Sequence, residues 1–115
     1  MDTRAKIVSP AEALRVAAGG ATTVSGYFDP LTSAHAERLQ SLKRPGAPLL
    51  VIISSPPDPI LPSLARAQLV AALACVDHVT EGPVAFAPHA TLEEEDGKRL
   101  EDLVRRVEAR QRAAG

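Results

Sequence analysis

The ten residues Gly26-Tyr27-Phe28-Asp29-Pro30-Leu31-Thr32-Ser33-Ala34-His35 are the stretch of this chain whose types and spacing best suit chemistry on an anion. They follow a strand-like run, Ala21-Thr22-Thr23-Val24-Ser25, and lead into a helix-like run, Ala36-Glu37-Arg38-Leu39-Gln40-Ser41-Leu42. A glycine at a strand end lets a ligand approach the backbone, and the first turn of the next helix offers free N–H groups and the positive end of the helix dipole. His35 adds a donor aimed the same way. A second candidate stands apart in sequence. Arg66 is the only Lys or Arg between Arg44 and Lys98, so it is the one long-range source of positive charge in the middle of the chain.

Positioning these groups requires strands that end together. Leu49-Leu50-Val51-Ile52-Ile53 is an unbroken apolar run without alternation, the pattern of a strand buried on both faces of a parallel sheet. Residues 21–28 read as the first strand, 33–44 as a helix stopped by Pro45-Gly46, and 63–76 as a helix with Leu69, Leu73 and Val76 among its apolar positions. Val79-Thr80 and Val84-Ala85-Phe86 read as a third and a fourth short strand. Ser9-Pro10-Ala11-Glu12 is a capping box with proline at the first helical position, and Gly19-Gly20 ends that helix. Leu100, Leu103, Val104 and Val107 repeat at helical spacing, which predicts a closing amphipathic helix over 92–113 with a solvated charged face. Strand and helix signals alternate, so the expected fold is a three-layer α/β/α Rossmann-like sandwich with a mostly parallel sheet, forming one domain over 1–115. Ligands of such sheets bind beyond the carboxyl ends of the strands. Gly26 to His35 and the proline-rich loop opened by Ser54 and Ser55 both belong there.

Composition narrows the function classes. The 115 residues carry a net charge of −1, which gives no general drive toward nucleic acid or an anionic membrane. No segment reaches the ~18 apolar residues of a membrane span, and Met1 to Lys6 lead into no apolar signal region, so the cytoplasm is the expected compartment. Cys75 is the only cysteine. It excludes an intramolecular disulfide and a cysteine-rich metal site, and its apolar neighbours suit an inert thiol. His78 and His89 lack ligand-like spacing, so no protein-held metal site is expected.

Gly26-Tyr27-Phe28-Asp29, with a histidine six residues after the aspartate, resembles the signature Gly-x-Phe-Asp-x-x-His-x-Gly-His of the cytidylyltransferase-like nucleotidyltransferases, especially their heptose-phosphate adenylyltransferase branch. Lys6-Ile7-Val8-Ser9 looks like the lead-in of that branch. Arg66 to Val79, which begins at an arginine and closes on Val76-Asp77-His78-Val79, looks like its later helix. The resemblance covers about residues 6–80. It implies transfer of a nucleotidyl group from ATP or CTP, with Mg²⁺, to a phosphorylated small molecule of the sugar-phosphate type, pyrophosphate leaving. By that resemblance His35, Thr32 and Arg66 take the catalytic positions. Gly26, Tyr27, Phe28, Asp29, Ser54 and Ser55 line the nucleotide site, with Asp29 holding the turn. The partners are then a nucleotide and a phosphorylated small molecule, with self-association left open.

The departures are as specific as the match. The first histidine of the signature falls on Thr32, its glycine falls on Ala34, and residues 54–62 contain no Lys or Arg where the family carries a basic phosphate-contacting segment. Glu93-Glu94-Glu95-Asp96 would repel a triphosphate at the last helix. Structural roles compete for each site residue: His35 as a core-edge histidine beside Leu39 and Leu42, Thr32 and Ser33 as helix N-caps, Gly26 as a turn closer, Arg66 as the ion-pair partner of Asp58 or Asp77. Three functions follow: a transferase, a nucleotide- or phosphometabolite-binding module that has lost turnover, and a structural subunit on the same fold.

Overall fold

A computed structural model describes residues 2–94. A 3₁₀ turn at Thr3–Lys6 leads into β1 (Ile7–Val8), followed by α1 (Pro10–Ala18), β2 (Thr22–Gly26), α2 (Ser33–Leu42), β3 (Leu49–Ile53), α3 (Ser63–Ala71), β4 (His78–Glu81) and β5 (Ala90–Thr91). The five strands form one sheet in the order β1-β4-β3-β2-β5, and every neighbouring pair is parallel. This is the α/β class with a parallel sheet that the sequence leads one to expect. Among the described residues no helix is long and apolar enough to cross a membrane.

Handedness explains which face each helix covers. The crossovers β2–α2–β3 and β3–α3–β4 advance in one direction, and β1–α1–β2 runs in the other, so right-handed connections send α1 to the opposite face from α2 and α3. The packing agrees. Leu39 of α2 and Ala67, Val70 and Ala71 of α3 share a core with Val24, Leu49, Val51, Ile53 and Val79. Ala13 of α1 packs with Ala21 and Leu50 on the other side, joined by Phe86 from the connection between β4 and β5. All five residues of β3 are buried, as a central strand covered on both faces requires.

Three differences from the sequence reading have local causes. Val84-Ala85-Phe86 is not a strand; Pro83 and Pro88 flank it and cannot donate to a ladder, and the strand of this region is β5 at Ala90–Thr91. His89 sets the register of β5, its backbone N–H donating to the Thr23 carbonyl at 2.9 Å while its Nδ1 accepts from Thr23 N–H at 3.0 Å. The helix expected over 63–76 ends at Ala71, because Val76 must turn into the core and Asp77 N–H must bond the Leu49 carbonyl to start β4. Thirdly, Ile7–Val8 forms a strand only because β4 offers an edge to it. Ser9 caps α1 as expected, its Oγ accepting from Glu12 N–H at 3.2 Å, but the Glu12 carboxylate accepts from Arg15 rather than closing the box on the Ser9 backbone. Of the closing helix expected over 92–113, residues 95–113 lie outside the described residues.

Gly26 is required by its own chain rather than by a ligand. Two residues later Phe28 takes a left-handed φ of 50°, which swings its ring back over the strand end. A Cβ at position 26 would lie 2.7 and 2.8 Å from that ring. The ring is fully buried and held edge-on by His35 at a centroid distance of 5.2 Å, so it has little room to yield. Gly26→Ala is therefore expected to destabilise the fold by about 1–3 kcal/mol, as overpacking does. Urea unfolding checks this, and an unchanged midpoint would show that the ring moves freely.

Candidate functional site

The turn from β2 to α2 is closed by its own side chains. Thr32 caps α2, its Oγ1 accepting from His35 N–H at 3.4 Å. The His35 ring folds back so that Nδ1 accepts from Thr32 N–H at 3.0 Å and sits 2.9 Å from Thr32 Oγ1. Each residue thus satisfies a helix-start donor of the other, a capping box with histidine in the place usually held by Glu or Gln. His35 is 6% exposed. A nitrogen that accepts this bond does not also donate to a phosphate.

Asp29 and Arg66 tie this turn to the proline-rich loop. Asp29 accepts from the backbone N–H groups of Ile60 at 2.6 Å and Leu61 at 2.8 Å, so it holds the neighbouring loop as well as its own turn. Arg66 Nη1 donates to the carbonyls of Tyr27 at 3.0 Å and Ser54 at 2.6 Å, and its Nε donates to the Leu61 carbonyl at 3.1 Å. These carbonyls lie beyond the end of β2, beyond the end of β3 and in the loop before α3. Arg66 as a whole is 1% exposed. Its charge is met by peptide dipoles, since among the described residues neither Asp58 nor Asp77 pairs with it. Asp77 serves the opposite edge of the sheet, accepting from Lys43 and, at 2.7 Å, from Leu49 N–H. Burial pushes its carboxyl up, but these two bonds outweigh that and hold it below the ordinary carboxylate value.

A cleft of about 350 Å³ opens at the carboxyl ends of the strands. Its place follows from topology. β3 leaves toward α3 on one face and β4 leaves toward Phe86 on the other, so the two chain ends part there, as ligand-binding crevices of parallel sheets do. Ser54, Ser55, Gly82, Pro83, Val84 and Pro88 form its walls, with Ser25 and Ile52 as its floor. Ser54 Oγ donates to Glu93 Oε1 at 2.7 Å, placing a carboxylate beside the wall. Glu81, at the end of β4, accepts from Ser63 Oγ on the α3 side.

The residues anticipated from sequence therefore separate into two groups. Ser54 and Ser55 line the cleft, whereas Gly26, Tyr27, Phe28, Asp29, Thr32, His35 and Arg66 form the frame of the two loops and are absent from its lining. Ser25, Gly82 and Glu93 are the additions. Alternation from the core residue Val24 places Ser25 on the other face, which was readable in principle; the approach of Glu93 to Ser54 depends on the pairing of β5 with β2. Among the described residues no three His, Cys, Asp or Glu side chains converge to hold a metal. Burial pushes the half-buried Cys75 thiol up, away from nucleophilic use. The chain matches no protein-family model, and no curated protein matches it.

Arg66→Ala leaves three loop carbonyls without their donor. Hydrogen bonds to a charged group are worth about 1.5–3 kcal/mol each, and they are not additive. The expected loss of stability is about 2–4 kcal/mol, measured by chemical denaturation. A loss within the ~0.5 kcal/mol of an ordinary surface substitution would contradict the clamp.

Proposed function

We propose that this domain is a small-molecule binding module of nucleotidyltransferase-like build that holds a nucleotide or a related phosphometabolite without transferring it. The observation that carries this reading is where the positive charge goes. In the family that the sequence resembles, a histidine pair and a basic segment face the phosphates. Here Thr32 and His35 cap each other, and Arg66 is sealed against three carbonyls. The cleft is lined by hydroxyls, glycine and prolines, with Glu93 beside it.

Magnitudes favour binding over turnover. Loss of one preorganised donor to a developing anion commonly costs about 10²–10³ in rate, and here several are committed to the scaffold. A carboxylate within ~4 Å of a phosphate adds roughly 1 kcal/mol of repulsion per unit charge even in water, and more in a partly dry cleft. A nucleotide is therefore held by its uncharged part, with its phosphates directed to solvent. The transferase reading rests on the Gly26–Asp29 turn, on His35 and on the Lys6–Ser9 and Arg66–Val79 stretches, and in this chain the turn, His35 and Arg66 also serve packing, helix capping and loop anchoring.

The test is calorimetric titration with ATP and CTP, with and without Mg²⁺, alongside a pyrophosphate-release assay with a sugar phosphate as acceptor. The expected result is binding of at least one nucleotide, with pyrophosphate release no faster than in the absence of protein. Release above that background makes the domain a transferase. No binding of either nucleotide leaves the structural role.

A further inference from the structure

The outward face of α3 is apolar where a solvated helix is normally charged. Among the described residues the exposed large apolar side chains are Leu14, Ile60, Leu64 and Leu69, and three of these belong to α3 or to the loop that enters it. Ile60 is 76% exposed, Leu64 51% and Leu69 44%. Ala67, Val70 and Ala71 turn to the sheet. On the other side Ala65, Leu69 and Ala72 follow at i, i+4 and i+7, with Leu64 and Gln68 in the adjoining row. From 54 to 76 the sequence has only Asp58 and Arg66 as charged residues, and Arg66 is buried. The other helices differ: α1 exposes Arg15, and α2 exposes Glu37 and Arg38. Ile60 is also held in place. Asp29 accepts from its N–H at 2.6 Å and from Leu61 N–H at 2.8 Å, and prolines at 59 and 62 flank the two with fixed φ. An exposed isoleucine on a fastened loop meets a partner at little ordering cost.

We infer that this face is where a second copy of the chain docks, α3 packing on α3 about a two-fold axis with Ile60 at the edge of the contact. Charge selects a second copy over a dissimilar protein. In a two-fold interface one patch serves both sides, so a patch with an excess of one sign repels itself, and an uncharged apolar patch does not. Recognition of a dissimilar partner ordinarily uses charge for steering and register, and between 54 and 76 only the exposed Asp58 is available for that. At ~1.5 Å per residue the nine residues of α3 are about 14 Å long. With Ile60 they fall short of the ~800 Å² per partner of a standard stable interface. The dimer is therefore a weak one, with a Kd of about 10–100 µM. Ile60, Leu64 and Leu69 are absent from the cleft lining, so this inference stands apart from the binding-module reading.

The experiment is sedimentation equilibrium of the full chain from about 5 µM to about 1 mM, a range that brackets the expected Kd. It is repeated on a double variant carrying Leu64→Lys and Leu69→Lys, on one carrying Leu64→Glu and Leu69→Glu, and on an equimolar mixture of the two. Lysine and glutamate are both good helix formers and both positions reach solvent, so the fold is retained; urea unfolding midpoints check this. Ile60→Lys tests the same face without touching the helix. The expected result is a dimer of the unaltered chain, at least ~10-fold weaker association in each double variant alone and in Ile60→Lys, and association regained in the mixture to within about 3-fold of the unaltered chain, because opposite charges then meet across the axis. A dimer that persists in both double variants places the contact elsewhere and overturns the inference, as does a mixture that stays monomeric. An unaltered chain that is monomeric throughout also overturns it. In that case a fall of the midpoint in both double variants assigns the face to residues 95–113 of the same chain, and unchanged midpoints assign it to a dissimilar partner.

Discussion

One buried guanidinium organises the carboxyl edge of this sheet. Arg66 bonds the carbonyls of Tyr27, Ser54 and Leu61, and so joins the chain leaving β2, the chain leaving β3 and the approach to its own helix. A planar fork with several donors in fixed directions suits this task, and lysine, a flexible point charge, does not. Moving a cation out of water is expensive unless its donors are met. The three loop segments must therefore hold their places for the charge to be tolerated, and the charge in turn holds them. Asp29 completes the clamp from the other side by accepting from Ile60 and Leu61. Two residues that look like reagents thus serve as fasteners, and one of the segments they fasten lines the cleft through Ser54 and Ser55.

That division of labour governs what the edge of the sheet can do. On the side of α2 and α3, the polar groups of the β2–α2 turn and the proline-rich loop are engaged with each other through Thr32, His35, Asp29 and Arg66. On the opposite side, where β3 and β4 part, the cleft is lined by Ser25, Ser54 and Ser55 together with Ile52, Pro83 and Val84, and Glu93 accepts from Ser54 beside it. Among the described residues that line it there is no lysine or arginine. Preformed clefts bind with less ordering cost than loops that must close, so modest contacts suffice for recognition there.

The parts of this molecule set by short-range pattern were legible in the sequence. The apolar run of β3, the Ser9 N-cap and the stop after α2 each depend on residues within one turn or strand. The two-residue strands β1 and β5 were not legible, because each exists only where a neighbouring strand supplies its partners. The end of α3 was hidden for a similar reason, since the Leu49 carbonyl that receives Asp77 lies far away in sequence. At the site, the motif located the loops correctly but could not reveal partners. Nothing local to Arg66 points to the carbonyls of Tyr27 and Ser54. Nothing local to Gly26 announces that Phe28 will take a positive φ and lay its ring on it. Ser25 was overshadowed by the glycine beside it, although strand alternation turns the two to opposite faces.

The central claim is that Arg66 belongs to the scaffold and is not a phosphate ligand. The direct measurement is ¹⁵N nuclear magnetic resonance of the Arg66 side chain during titration with ATP and Mg²⁺. The clamp predicts a resolved, slowly exchanging Nε–H signal whose position stays constant through saturation, while resonances of the cleft residues move. An Arg66 signal that exchanges as fast as an exposed arginine, or that shifts and saturates with ATP, would contradict the account.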